Sequence, residues 1–301
     1  MTDKNIEFKS NPLTFAQKYT LYPVLEENTE TFITKNTTGP LASTYKFGGK
    51  TYNDEIYEFN NILYCQIEQV QPTTQEVIGE SGPEGYEKDL NLHVIRISQD
   101  PKGGRAFPIY YLPWKPRAIT RIRLMSKDIP AYFVTAALQG CSVFVEGRGT
   151  PIVYHINDGT RQDDIEGPES KAIIQQMIER HRAARDKYPK RRHVRAAHMT
   201  DYMPGTVILE RHEALWNRYK NSPHLWSSHH KWVPWAHTKI WSTEVSLVAQ
   251  YGTIFGWRDK NQWRFCRQTR TRVVYKYYEL PEGQTIEQPA WVDPTCVEFW
   301  P

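Results

Sequence analysis

The sequence predicts an α+β protein built on an antiparallel or mixed two-sheet structure, with a helix inserted between its strands. Three observations carry this. Tyr, Phe and Trp number 18, 11 and 10 in a chain of 301 residues, and aromatic and β-branched residues suit a pleated, half-buried surface. Short apolar runs bounded by Pro, Gly or charged residues follow one another from position 92 onward, as strands separated by turns do. One segment alone changes to a helical period.

In chain order, residues 1–40 are polar and mixed in charge and predict a loose arm with short elements. Tyr45 to Tyr52 predicts a hairpin, because Gly48-Gly49 supplies the positive φ angles of a two-residue turn. A strand is expected over Ile62–Val70, and Gln71–Asp89, rich in Pro, Gly, Ser and acidic residues, predicts an exposed loop. Strands are then expected at Leu92–Ser98, Ala106–Leu112, Ala118–Met125 and Tyr132–Leu138. Cys141–Val145 and Ile152–Ile156 form a further pair around Gly147-Arg148-Gly149-Thr150-Pro151. Between Glu169 and Tyr188, Ile173, Ile174, Met177, Ile178, His181 and Ala184 recur at i, i+3, i+4 spacing and predict a helix that Pro189 stops. Glu244–Phe255 and Trp263–Tyr278 flank the polar turn Arg258 to Asn261 as a long hairpin. No internal repeat is present. The expectation is one domain over 1–301, with a β-rich part at 41–110 and a catalytic sheet, inserted helix and C-terminal hairpin at 111–301.

The net charge of +4 does not by itself imply a nucleic-acid partner. Most of the excess lies in Arg180–Arg195, where eight Lys and Arg read as the solvated face of a helix and its exit rather than as a landing site for an acidic partner. Four scattered cysteines without a C-x-x-C pair fit neither a zinc spacing nor a disulfide framework, so reduced thiols are expected. Cys266 and Cys296 are expected to be structural. His224, His229, His230 and His237 lie among Trp226, Trp232, Trp235 and Trp241 and imidazoles bind zinc, but Pro223 and Pro234 argue against the regular helical spacing that suits it; an aromatic loop beside a substrate entrance is the favoured reading. The N-terminus lacks an apolar signal region, and no run approaches the length of a membrane span.

The stretch richest in chemistry is Thr135-Ala-Ala-Leu-Gln-Gly140-Cys141, followed by Thr150-Pro-Ile-Val-Tyr-His155-Ile-Asn157. If 141–145 and 151–155 pair around loop 146–150, Val145 faces Pro151, Val143 faces Val153, and Cys141 faces His155. Directly opposed residues share a sheet face with Cβ atoms about 4.5–5.5 Å apart, within thiol-to-imidazole reach. An imidazolium beside a thiol yields the nucleophilic thiolate. Gly140 permits a tight turn and close substrate approach, and backbone N–H groups at such a turn suit an oxyanion. Tyr154, Asn157 and Asp158 are nearby polar candidates for orienting the imidazole or a substrate amide.

Leu138-Gln139-Gly140-Cys141 resembles the Leu-x-Gly-Cys signature of bacterial glutamine deamidases: cytotoxic necrotizing factor, Burkholderia lethal factor and, more distantly, the CheD chemoreceptor deamidases. The similarity covers about residues 130–157, with Gln139 where Ser is commoner. It implies a β-sandwich flanked by helices, with Cys141 as nucleophile, His155 as base and acid, and Thr135 as a residue that holds the site by a hydrogen bond. The implied reaction converts Gln to Glu on a protein substrate, with no metal or organic cofactor. It also implies a toxin or effector that acts in a target cell's cytosol. Two other readings stand beside it: a Cys–His protease or acyltransferase, and a non-catalytic interaction module using the Trp-rich loops.

Overall fold

The computed structural model describes residues 3–69, 92–101, 104–126, 130–157, 168–185, 193–202, 240–279 and 284–300. The loop at Gln71–Asp89, Asp158 and the four-histidine cluster with Trp226, Trp232 and Trp235 lie outside them. The chain opens with α1 (Lys4–Ser10), α2 (Pro12–Lys18), β1 (Thr20–Leu25) and α3 (Thr29–Lys35). It continues through β2 (Thr37–Phe47), β3 (Lys50–Phe59), β4 (Ile62–Gln69), β5 (Leu92–Ser98), β6 (Phe107–Leu112) and β7 (Ile119–Arg123). Then come β8 (Tyr132–Thr135), β9 (Ser142–Glu146), β10 (Ile152–Ile156), α4 (Pro168–Ala184), β11 (Val194–Ala197) and α5 (Met199–Tyr202). The described chain closes with β12 (Ile240–Asp259), β13 (Gln262–Glu279) and β14 (Gln284–Trp300).

The fold is α+β and sandwich-like. One sheet has eight strands in the order β1-β5-β4-β6-β8-β12-β13-β14, the other six in the order β11-β9-β10-β7-β3-β2. Both are mixed, because β1–β5, β6–β8 and β3–β7 run parallel. The hairpin at Gly48-Gly49 forms as the sequence predicts, with Phe47 opposite Lys50 and both glycines at positive φ. The C-terminal hairpin is also present, turning at Lys260-Asn261.

One apolar core joins the two sheets. Phe59, Ile122, Val143, Val145 and Val153 of the six-stranded sheet share it with Leu63, Ile97, Ile109, Phe133, Ile254 and Phe265 of the other. The opposite face of the six-stranded sheet is covered by α4. There Met177 and Ala184 pack on Ile56, Ile119, Phe144, Ile152, Tyr154 and Ile156. This division follows from strand alternation: successive residues of β9 and β10 point to opposite faces, and both faces are apolar because both are covered. Among the described residues no helix is long and apolar enough to cross a membrane.

Two expectations need correction. Residues 1–40 are not a loose arm: Phe8, Phe15, Ala16, Leu21 and Ile33 are buried in the main core. Asn11 closes α1 and caps α2 through its side chain, while Gln268 of β13 binds the carbonyls of Ala16 and Tyr19 and the N–H of Leu21. Local polarity hid this because the anchoring residues are single aromatics spaced among charges. The basic run is likewise not a solvated face throughout. Arg180 is buried in an ion pair with Asp54 of β3 at 2.8 Å, and Arg185 pairs with the buried Glu146 at 3.0 Å. Arg182 does point to solvent beside Glu179.

Candidate functional site

Residues Leu138 to Cys141 link β8 to β9 across the junction of the two sheets. Leu138 is held by paired backbone hydrogen bonds with Gly252 of β12. Gly140 then adopts φ +76°, a left-handed conformation that a residue with a Cβ disfavours. That turn delivers Cys141 to the start of β9 with its side chain in the inter-sheet core. The Tyr202 hydroxyl donates to the Cys141 carbonyl at 2.7 Å, so α5 fixes the backbone of the thiol residue from the side. A Cβ placed on Gly252 would stand 2.8 Å from the Tyr202 ring. Gly252→Ala is therefore expected to destabilise the protein by about 1–3 kcal/mol through overpacking, seen as a lower thermal melting temperature.

The β9–β10 register differs by two residues from the sequence expectation. Val145 opposes Val153, Val143 opposes His155 and Ser142 opposes Ile156. Cys141 thus falls opposite Asn157, and His155 becomes its diagonal neighbour on the same face, a separation of about 7–8 Å between backbones. The parity of the expected pairing survives and the direct opposition does not. The difference lies at the turn, which starts with Gly147 at φ +85° and pairs Glu146 with Ile152.

Asn157 is therefore the residue that touches the thiol. Its Nδ2 donates to Cys141 Sγ at 3.1 Å, while its Oδ1 accepts the Arg117 N–H at 3.2 Å. The thiol also reaches the Gln139 carbonyl at 3.7 Å. Burial pushes the Cys141 thiol above its ordinary pKa; the Asn157 amide and the Arg180 charge pull the other way. His155 is 1 % exposed, and among the described residues neither ring nitrogen has a hydrogen-bond partner. Burial lowers its pKa to about 3. The expected thiolate–imidazolium pair is thus not the resting state; a thiol and a neutral imidazole are, because the core desolvates both charges.

The other sequence candidates separate cleanly. Thr135 is buried at the end of β8, and its hydroxyl accepts the Ile254 N–H at 3.1 Å, which ties β8 to β12 rather than touching the thiol. Tyr154 points away from Cys141 into the α4 layer, its ring edge-on to His181 at 4.8 Å. Also on that far face, Ser142 Oγ lies 2.9 Å from His198 Nδ1. Sequence reasoning missed Tyr202, Gly252 and Arg180 as neighbours of the site. None has a local signal, since each approaches Cys141 from an element distant in the chain.

Comparison of the sequence with protein-family models and with curated proteins finds no match.

Proposed function

We propose that this protein is a cysteine-dependent amidohydrolase that deamidates a glutamine side chain on a protein substrate. One observation carries the reading: a buried imidazole with no hydrogen-bond partner among the described residues shares a sheet face with a thiol presented by a left-handed glycine turn. A buried polar group left unsatisfied is uncommon in native proteins, and a catalytic role is one reason for keeping it. Catalytic hydrogen bonds are often long before substrate arrives, so a diagonal His155 is compatible with proton transfer once a carboxamide lies between the two groups.

In this mechanism the Cys141 sulfur attacks the carboxamide carbon while His155 takes the thiol proton. The tetrahedral intermediate collapses to a thioester as the imidazolium gives that proton to the departing ammonia. Water, deprotonated by His155, then attacks the thioester and releases the glutamate carboxylate and the free thiol. No metal or organic cofactor enters these steps. The motif resemblance supports the same chemistry, and with it the role of an effector acting in a target cell's cytosol.

The test is to incubate the protein, or Cys141→Ser, with cell lysate and map amide-to-acid conversions by mass spectrometry. One glutamine converted by the native protein alone is the expected result. Chain cleavage without ammonia release would replace deamidation by peptide hydrolysis on the same pair. Identical lysates from both proteins would remove the enzymatic reading.

A further inference from the structure

We infer that Asn157 is the positioning residue of the candidate nucleophile: its clamped side-chain amide holds the Cys141 sulfur in place and stabilises the thiolate as it forms. This rests on the amidohydrolase reading for its purpose, but its geometry stands independently.

Asn157 is fastened on three sides. Its backbone N–H donates to the Ala118 carbonyl at 3.3 Å. Its carbonyl accepts Arg180 Nη1 at 3.0 Å, and Arg180 is itself anchored by Asp54. Its Oδ1 accepts the N–H of Arg117, a residue at φ +53°. An amide oxygen that receives an N–H must present its NH₂ group in the other direction. That direction is the Cys141 sulfur. The donor is therefore aimed at the sulfur before any substrate binds, which is the preorganisation that stabilises developing charge in a water-poor site.

The groups around the sulfur favour this assignment over an imidazolium. From α4 comes the Arg180 charge, balanced by Asp54 on β3. From β10 comes His155, neutral and buried. From α5 comes Tyr202, whose hydroxyl is occupied by the Cys141 carbonyl. Asn157 is the only side chain among the described residues with a hydrogen bond to the thiol. A hydrogen bond to a charged group is stronger than one to a neutral group, so the amide contributes more to the thiolate than to the thiol.

The experiment follows the ionisation of Cys141 through the pH dependence of the carbon-13 shift of its Cβ, in the full chain labelled at cysteine and assigned with Cys141→Ser, because a buried thiol is then read without reagent access. Asn157→Asp keeps the size and the acceptor for Arg117 but loses the donor; Asn157→Ala loses the donor without adding charge. In both, the Cys141 profile is expected to move about one pH unit higher, a tenfold smaller ionisation constant. Cys65, Cys266 and Cys296, buried like Cys141, report folding internally, because unfolding brings all four signals together at the free-thiol shift. If the aspartate variant opens the fold in this way, the alanine variant decides. An unchanged Cys141 profile in a folded variant overturns the inference. The readout needs no substrate, so a protein that deamidates nothing yet shows the displaced profile loses the amidohydrolase reading and keeps this one.

Discussion

His155→Leu is expected to yield a protein that is more stable and catalytically inert. Both ring nitrogens of His155 are buried without partners among the described residues, and an unsatisfied buried polar group costs about 1–3 kcal/mol. Leucine removes that penalty at a site whose strand neighbours are Val143 and Val153. The same replacement removes the proposed general base, a contribution of about 10²–10⁴-fold in rate. Urea denaturation and the glutamine-conversion assay read the two effects separately. A destabilised variant would mean that His155 is held by packing rather than by function.

The acid dependence of stability follows from the same residue. His155 titrates at about 3 in the folded protein against 6.5 when free, so the unfolded chain binds a proton more readily. Stability is then full above about pH 6.5 and falls as pH drops toward 3, by up to about 1.4 kcal/mol per pH unit for each such group. His181 behaves alike, pushed to about 3 by burial first and by Arg185 and Arg182 second. The Glu146 carboxylate is 3.8 Å from it, beyond hydrogen-bond range and already engaged by Arg185. Urea midpoints measured through this window should show a shallower slope in His155→Leu, with His181 and His198, both lowered by burial, among the groups that carry the remaining slope.

Asp54→Ala should produce the largest loss of stability. Arg180 is 2 % exposed on its side chain and Asp54 7 %. Removing the carboxylate takes from the buried guanidinium the charge that lies 2.8 Å from it, and breaking a buried pair costs about 3–5 kcal/mol. The damage extends to the site, because the same guanidinium holds the Asn157 carbonyl. Asp54→Leu combined with Arg180→Met should recover much of the loss, since an apolar pair of similar volume avoids the desolvation cost. A single-variant cost below about 1 kcal/mol, the range of an exposed pair, would show that solvent or another partner compensates Arg180.

Much of the architecture follows from local signals. Gly48-Gly49 sets a two-residue turn wherever it lies between strand formers, and β5 and β10 begin and end where their flanking residues change character. The helix over Pro168–Ala184 follows from the spacing of Ile173, Met177 and Ala184. In the candidate site, the choice of Cys141 and Gly140 comes from the order of residues alone, and the same-face relation of Cys141 and His155 from strand parity.

What the chain order could not decide is which residue touches the thiol. A register change of two positions preserves every face and every hydrophobic match, so nothing in the pattern of β9 and β10 separates His155 from Asn157 as the direct neighbour of Cys141. The folded turn separates them: it begins at Gly147, at φ +85°, and pairs Glu146 with Ile152 and Val145 with Val153. The charge environment is likewise tertiary. Arg180 reads as one of a basic run until β3 brings Asp54 against it, and Tyr202 is an isolated tyrosine until α5 carries it to the Cys141 carbonyl. Residue types and their periodicity determined the strands, the turn and the nucleophile candidate. Burial determined their protonation states, because desolvation depends on what closes over a group rather than on what flanks it in the chain.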